Sequence, residues 1–192
     1  MSERRSSGRD DADGKPGRQG NSRPRILDSA RNVVATRGTR HLTLDAVAAD
    51  AGVSKGGVIY HFPNKQALLE ALLDDALTEL TARYEEEKAR APGNALAAWL
   101  RADGHTSRLQ PSLALALLAN AAEAPTLLDP ARQLIAGGLD ELTETHEDAD
   151  LALLLLLTAE GLRLDAMYDL LPIDDGDRSR LRGRLLELAQ AL

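Results

Sequence analysis

Histidine and carboxylate side chains are the first candidates for chemistry in this 192-residue chain, because they could bind a metal or move a proton. The chain has four histidines, none of them three or four residues from another: His41, His61, His105 and His146. No helix can therefore present two of them as metal ligands. The acidic clusters at 74–75, 85–87 and 174–175 have no catalytic partner, and no phosphate-binding loop, dinucleotide-binding glycine motif or nucleophile elbow occurs. We expect no enzyme, no metal site and no cofactor.

A different kind of site is indicated by residues 43–65, which read TLDAVAADAGVSKGGVIYHFPNK. Thr43 and Ser54 are hydroxyl residues of the type that caps helix N-termini, and Gly52 breaks the apolar pattern between them. Two short helices joined by a glycine-containing turn form a helix-turn-helix, whose second helix lies in the DNA major groove. Val53 and Val58 would pack into its core. Many paired helices never touch DNA, so this pattern alone is a moderate signal.

The charge distribution agrees with a polyanionic partner for the N-terminal part only. The whole chain carries a net charge of −7. Residues 1–66 contain 12 Lys/Arg and 7 Asp/Glu, whereas residues 67–192 contain 11 and 23. A basic head on an acidic body is expected when only the head meets nucleic acid, and solvated surface charge is the alternative.

Further features extend the pattern: an apolar helix ending at Arg37-Gly38, the run Tyr60-His61-Phe62, and Asn64-Lys65 leading into 67–69. With these, residues 25–73 resemble the N-terminal domain of the TetR family of bacterial repressors. The resemblance covers about a quarter of the chain, and the remainder carries no comparable signature. It implies a dimeric transcriptional repressor that binds palindromic operator DNA and is released by a small molecule. The alternative is a dimeric DNA-binding regulator without an effector.

The resemblance also implies roles for single residues. Phosphate contacts are expected from Thr43, Tyr60, His61 and Lys65. Contacts at the start of the recognition helix, where base edges are met, are expected from Ser54, Lys55, Gly56, Gly57 and Ile59. Lys55 could reach either a guanine or a phosphate, and both stay open.

The glycine pair at 56–57 supplies no side chains at the point where many relatives have larger residues. Readout there would have to come from close backbone approach, from neighbours such as Ile59, or from DNA shape. Two glycines also weaken a helix by about 1 kcal/mol each relative to alanine. A loose helix that orders on DNA is therefore the other interpretation.

The wider sequence predicts an all-α fold, because Ala and Leu dominate and strand-type alternation is hard to find. We expect a disordered arm at 1–22, a DNA-binding head at 23–66 and an effector-binding and dimerisation domain at 67–192. Ile26, Ala30, Val33 and Val34 mark one face of the first helix. Apolar periodicity and helix-breaking residues predict a second helix that starts at Thr43. They place the later helices at 54–61, 64–90, 94–105, 111–122, 126–146, 149–171 and 176–191.

The body is expected to form a homodimer. Residues 151–157 are apolar all round, which is typical of a helix buried on several sides, and the same helix of a second chain is the simplest partner. The family resemblance implies an interface through about 149–171 and 176–191. A helix buried wholly within its own chain is the alternative.

The effector pocket is expected beside the apolar stripe of 68–90, since that helix joins head and body. The polar or aromatic residues available to line it are Tyr84, Trp99, His105, Arg108, Asn120 and Arg163. Aromatic residues make up only 3% of the chain, so a small aliphatic cavity is favoured over a stacking site for flat molecules.

The sequence contains no cysteine, so the protein has no disulfide bonds that would require an oxidising compartment. The first residues have no apolar segment of the secretory type. The longest apolar run, at 151–157, is far shorter than the roughly 20 residues that cross a bilayer. We expect a cytoplasmic protein with no membrane partner.

Overall fold

A computed structural model describes residues 22–104 and 111–192, which form nine α-helices and no strand. The helices are α1 Ser22–Arg37, α2 Leu44–Ala51, α3 Lys55–His61, α4 Lys65–Arg90, α5 Ala95–Gly104, α6 Pro111–Ala121, α7 Asp129–Thr145, α8 Ala149–Tyr168 and α9 Asp175–Gln190. The predicted all-α fold is confirmed. The predicted seventh helix starts three residues later than 126, because Pro125–Leu128 forms a separate 3-10 turn.

The head is built on the inward face of α1. All four residues of the predicted face are buried, and Gly38 ends the helix with a φ of +82° that disfavours other residues. The face packs against α2 and α3, where Val47, Val58 and Phe62 complete the core. These contacts fix the position of α3 relative to α1.

Side-chain caps set where α2 and α3 begin. The Thr43 hydroxyl accepts a hydrogen bond from the Ala46 amide at 3.1 Å, and Ser54 accepts one from the Gly57 amide at 3.1 Å. Between them Gly52 adopts a left-handed conformation, with φ +63° and ψ +36°. Caps of this kind contribute about 1 kcal/mol each and leave the remaining N-terminal amides pointing outward.

The long helix α4 belongs to both parts of the molecule. Asn64 caps it, accepting from the Ala67 amide at 2.8 Å, and its 26 residues span about 39 Å. Leu68, Leu69 and Leu72 are fully buried in the head core, whereas Tyr84 is buried against α5. Any tilt of α4 is therefore shared by head and body.

The body core lies between α5, α7, α8 and α9, around Leu96, Leu142, Leu155 and Leu185. Helix α6 instead adds Leu113 and Leu117 to the head core. The head core thus extends beyond residue 66 into the first half of α4 and into α6.

An ion-pair network closes the turn between α8 and α9. Asp165 is only 2% exposed and accepts hydrogen bonds from Arg178 Nε at 2.8 Å and from the Leu171 amide at 2.6 Å. Arg178 also pairs with Asp169 and Asp175, both exposed. The Arg178 guanidinium holds the pKa of Asp165 below its ordinary value. The network sets the packing of α9 on α8.

We expect Arg178→Met to lower the free energy of unfolding most at neutral pH, because it leaves the Asp165 carboxylate buried without a cation. The lowered pKa means that Asp165 stabilises the fold above its unfolded pKa of about 3.9 and loses that contribution as the pH falls through the folded value. The difference from wild type should therefore shrink as the pH falls below about 4. Urea unfolding between pH 3 and 7 measures this difference. Arg180→Met is the control, since Arg180 is exposed where it pairs with Asp177. Equal losses for both variants at every pH would contradict the assignment.

Candidate nucleic-acid interface and body cavity

One surface of the head presents the start of α3 to solvent. Lys55, Gly56, Ile59 and Tyr60 are exposed and lie on one side of the helix, with Tyr60 84% exposed. Thr43, at the start of α2, is also exposed. Two apolar or aromatic side chains left uncovered on a short helix indicate a surface that contacts something else. We call the residues Thr43, Ser54, Lys55, Gly56, Gly57, Ile59 and Tyr60 the α3 face.

The two glycines of the α3 face are not required by packing within the chain. A Cβ atom added at Gly56 would lie 3.9 Å from Ser54 Oγ, and one at Gly57 would lie 3.4 Å from the same atom. Both distances are ordinary van der Waals contacts, and neither residue has a positive φ. Gly52 needs glycine for its backbone conformation, whereas Gly56 and Gly57 do not.

Lys55 pairs with a carboxylate that the sequence did not predict as its partner. Its ammonium donates to Asp45 Oδ2 at 3.0 Å, with both side chains more than half exposed. The ten-residue separation corresponds to no helical repeat, because the pair spans the turn between α2 and α3. The cation of the α3 face is therefore partly neutralised by a neighbour on α2.

His61 and Lys65 lie at the edge of the α3 face. A hydrogen bond of 2.6 Å joins His61 Nε2 to Ser22 Oγ, so this ring faces the first turn of α1. Lys65 is half-buried at the first position of α4, directly after the Asn64 cap. The phosphate contacts expected of both residues stay predictions.

The body contains a small apolar cavity of about 20 Å³ between α4, α5, α7 and α8. Its lining residues are Tyr84, Ala95, Trp99, Ile135, Gly138, Leu139, Leu142 and Leu156. Two residues predicted for the effector pocket meet here: the ring centres of Tyr84 and Trp99 are 5.6 Å apart, and the ring planes are inclined at 67°. The volume is that of about one water molecule.

The other predicted pocket residues do not line this cavity. Asn120 donates to the Ala116 carbonyl within α6, and Arg163 pairs with Glu160 on α8. His105 and Arg108 lie outside the described residues. Of the α4 stripe, only Tyr84 reaches the cavity wall, so the space lies beside the C-terminal half of α4.

A charged triad adjoins the cavity and ties α4 to α7. The Tyr84 hydroxyl donates to Glu141 at 2.8 Å, and Lys88 forms an ion pair with the same carboxylate. Lys88 Nζ lies 5.5 Å from the centre of the Tyr84 ring. Hydrogen bonds from Lys88 and Tyr84 lower the pKa of Glu141, while burial and the bond to Glu141 raise the pKa of Tyr84. We call these three residues the α4–α7 triad.

Of the α4–α7 triad, Tyr84 is predicted by the sequence, whereas Lys88 and Glu141 are not. Tyr84 and Lys88 are four residues apart on one helix face, and this spacing predicts that their side chains are neighbours. Glu141 is 57 residues from Tyr84, and no feature of the sequence predicts that the two are in contact. Trp99 Nε1, beside the triad, is buried and has no hydrogen-bond partner within residues 22–104 and 111–192.

A leucine-rich face of α8 and α9 is uncovered in the single chain. Leu154, Leu157 and Leu164 are 61%, 59% and 40% exposed, and they lie with Gly161 on one side of α8. On α9, which packs against α8, Leu181 and Leu188 are 38% and 40% exposed. We call these leucines the α8–α9 face. The sequence predicts that α8 is buried on several sides. Within one chain the leucine-rich side is exposed, and Ala152 and Leu155 of α8 are buried in the body core.

Comparison with known proteins places both halves of the chain in one family. The profile described as "Bacterial regulatory proteins, tetR family" matches residues 26–72. The profile described as "Tetracyclin repressor-like, C-terminal domain" matches residues 93–190, slightly more than half of the chain. The chain belongs to the TetR family. The resemblance seen in residues 25–73 is thereby confirmed and extended to the body.

Individual curated relatives match this TetR-family protein over only part of its length and of their own. The HTH-type transcriptional repressor KstR2 of Rhodococcus jostii is 35% identical over 77 residues, which is 40% of this chain and 36% of that protein. Two solved structures share the fold over most of their length, each at 24% identity. A TetR-family member from Streptomyces coelicolor has a TM-score of 0.62 over 86% of this chain and 98% of its own. The multidrug binding protein EbrR, complexed with ethidium, has a TM-score of 0.61 over 88% and 99%. Across residues 22–104 and 111–192, no helix is long and apolar enough to cross a membrane.

Proposed function

We propose that the protein is a dimeric transcriptional repressor that binds operator DNA through the α3 face. The observation that carries this proposal is the exposed, doubly capped pair of helix starts, Thr43 on α2 and Ser54 on α3, surrounded by Lys55 and Tyr60. Outward-pointing amides at helix N-termini bind phosphates, and flanking cations and hydroxyls add to that binding. Membership of the TetR family and the relative named as a repressor support the proposal.

In this proposal α3 enters the major groove while α2 crosses the backbone. Thr43, Tyr60, His61 and Lys65 contact phosphates, and Ser54, Lys55, Gly56, Gly57 and Ile59 approach base edges. The head at 23–66 supplies these contacts, and residues 67–192 supply dimerisation and effector binding. A second chain covers the α8–α9 face, because several exposed leucines on two packed helices are typical of a protein–protein interface.

The effector part of the proposal places a small molecule at the Tyr84–Trp99 cavity. The cavity adjoins α4, whose first residue is Lys65, so a ligand that changes the tilt of α4 changes the DNA contacts. EbrR is a multidrug binding protein of the same fold. Linkage requires operator DNA and ligand to weaken each other by the same factor. The cavity's volume of about 20 Å³ favours the second candidate, a regulator without an effector, unless ligand binding enlarges it.

Selection of bound sequences from a random DNA pool tests the proposed function. A two-fold dimer should select a palindrome whose half-sites are centred about 34–36 Å, one helical turn, or a multiple of that apart. Recovery of no common sequence, together with binding insensitive to salt, would refute operator recognition.

Lys65→Ala is expected to weaken binding to all duplexes alike and to reduce the slope of log affinity against log salt by about one unit per site. The reason is that a phosphate contact carries charge but no sequence information. Fluorescence anisotropy at several salt concentrations measures both quantities. Arg180→Ala, which removes the same charge on α9, serves as the control. If Lys65→Ala instead relaxed preference at a single base pair, the assignment would be wrong.

Asp45→Asn is expected to tighten binding to random-sequence DNA, with a salt slope steeper by about one unit per site, because Lys55 is then free to bind phosphate. Specificity for the selected operator should fall accordingly. In a Lys55→Met background the same substitution should have little effect. Asp50→Asn removes an equal charge from α2, where Asp50 accepts from Asn32, and should leave the slope unchanged. An effect of Asp45→Asn that persists without Lys55 would show simple repulsion of DNA instead.

A further inference from the structure

The α4–α7 triad has the composition of a site for an organic cation. Lys88 Nζ lies 5.5 Å from the Tyr84 ring centre and is paired with Glu141. An ammonium placed between an aromatic face and a carboxylate is the arrangement by which proteins recognise quaternary and tertiary amines. Here the ammonium belongs to the chain itself, and the Tyr84 ring that it contacts also lines the cavity, together with Trp99.

We propose that the effector is an amphiphilic organic cation whose ammonium group replaces Lys88 on Glu141 and the Tyr84 ring. Its apolar chain occupies the cavity lined by Trp99, Leu139 and Leu142. The inference rests on the proposed function, since it specifies the ligand of the effector cavity. In this proposal the Lys88 ammonium balances the charge of the Glu141 carboxylate when no ligand is bound.

The exposure of the three side chains decides which member leaves. Lys88 is 39% exposed and sits on a flexible four-carbon stem, so its ammonium can turn into water without burying a charge. Tyr84 is 7% exposed, and Glu141 is held by the Tyr84 hydroxyl. The carboxylate and the ring therefore stay in place, and the charge they accept is positive.

The cavity wall favours a slender apolar chain over a large flat ring. Every lining residue apart from Tyr84 and Trp99 is aliphatic or glycine. The space must widen before it admits a chain, and Ile135, 51% exposed, lies on the solvent side of α7 where it can move outward. Gly138 has no side chain, and a Cβ atom added there would lie 3.7 Å from the Trp99 ring, so the glycine leaves space in the cavity wall beside this ring.

The exchange would also act on α4. Tyr84 and Lys88 both belong to α4, whereas Glu141 belongs to α7, so the triad is a tether between the two helices. Replacement of Lys88 by a free cation removes one of the tether's two links. The C-terminal half of α4 can then shift, which alters the position of Lys65 at its other end.

Three probes of equal chain length test the proposal on the full chain: octyltrimethylammonium, octanol and octanoate. We expect the cation to raise the Tm of the wild-type protein and to bind at least about tenfold more tightly than either other probe, by calorimetric titration. Lys88→Met, which removes the internal competitor, should tighten cation binding further. Glu141→Gln should abolish the preference for the cation over octanol, while Glu144→Gln, an exposed neighbour on α7, should retain it.

Equal affinity for the three probes, or weaker cation binding in Lys88→Met, would overturn the proposed ligand class. If Glu141→Gln does not fold, the response of Lys88→Met decides the matter alone. Operator affinity, measured with and without the cation, separates this inference from the proposed function. A chain that binds operator but not the cation refutes only the ligand class. A cation that raises the Tm without lowering operator affinity supports the binding site and refutes its regulatory role.

Discussion

Leu157→Glu should convert the protein into a monomer and lower its operator affinity by about 100-fold or more. Leu157 belongs to the α8–α9 face and is 59% exposed, and a two-fold axis would bring the substitution into the interface twice. Each glutamate would have to be buried without a cation in a leucine surface, at a cost that favours dissociation. A monomer binds one half-site only and loses the high effective concentration that links the two heads. Sedimentation velocity measures the first effect, and anisotropy with operator DNA measures the second.

Leu118→Glu provides the matched control for this prediction. Leu118 is 50% exposed, a similar fraction, but it lies on α6, away from the α8–α9 face. The same change in charge should leave the sedimentation coefficient and operator affinity unaltered. A Leu157→Glu protein that remains dimeric at micromolar concentration would place the interface elsewhere.

The head could be predicted almost entirely from sequence, because its structure is specified by local chemistry. Thr43, Ser54 and Asn64 cap their helices as expected, and Gly52 has the left-handed backbone that its position between two helices requires. The buried face of α1 follows directly from a helical repeat. In each case the deciding partner lies within a few residues along the chain.

The body could not be predicted to the same degree, because its polar contacts join distant segments. Glu141 contacts Tyr84 and Lys88 only because α7 packs on α4, and the residue spacing in the sequence does not predict this contact. Asn120 and Arg163 are polar residues that were expected to line the pocket, yet Asn120 donates to the Ala116 carbonyl and Arg163 donates to Glu160, each within its own helix. A polar side chain in a helical body is therefore weak evidence for a pocket unless its local acceptors are excluded.

Gly56→Ala should raise the stability of the protein and lower its affinity for operator DNA, two effects of opposite sign. Alanine is favoured over glycine in a helix by up to about 1 kcal/mol, and the new Cβ has room beside Ser54. Glycine at position 56 therefore makes α3 less stable than alanine would, although packing within the chain does not require glycine there. Close approach of the α3 backbone to the groove explains this, and a methyl group there should cost about tenfold in affinity, or about 1.4 kcal/mol. Thermal unfolding and anisotropy measure the two effects.

Gly137→Ala separates the groove contact from the change in helix propensity. Gly137 is an exposed glycine in α7, and a Cβ added there would meet nothing within 4 Å. This variant should gain stability and keep its operator affinity. The competing interpretation, a loose helix that orders on DNA, predicts that Gly56→Ala binds more tightly, because less ordering entropy is lost on binding. The sign of the change in affinity for Gly56→Ala, taken against Gly137→Ala, therefore decides between close backbone approach and folding on DNA.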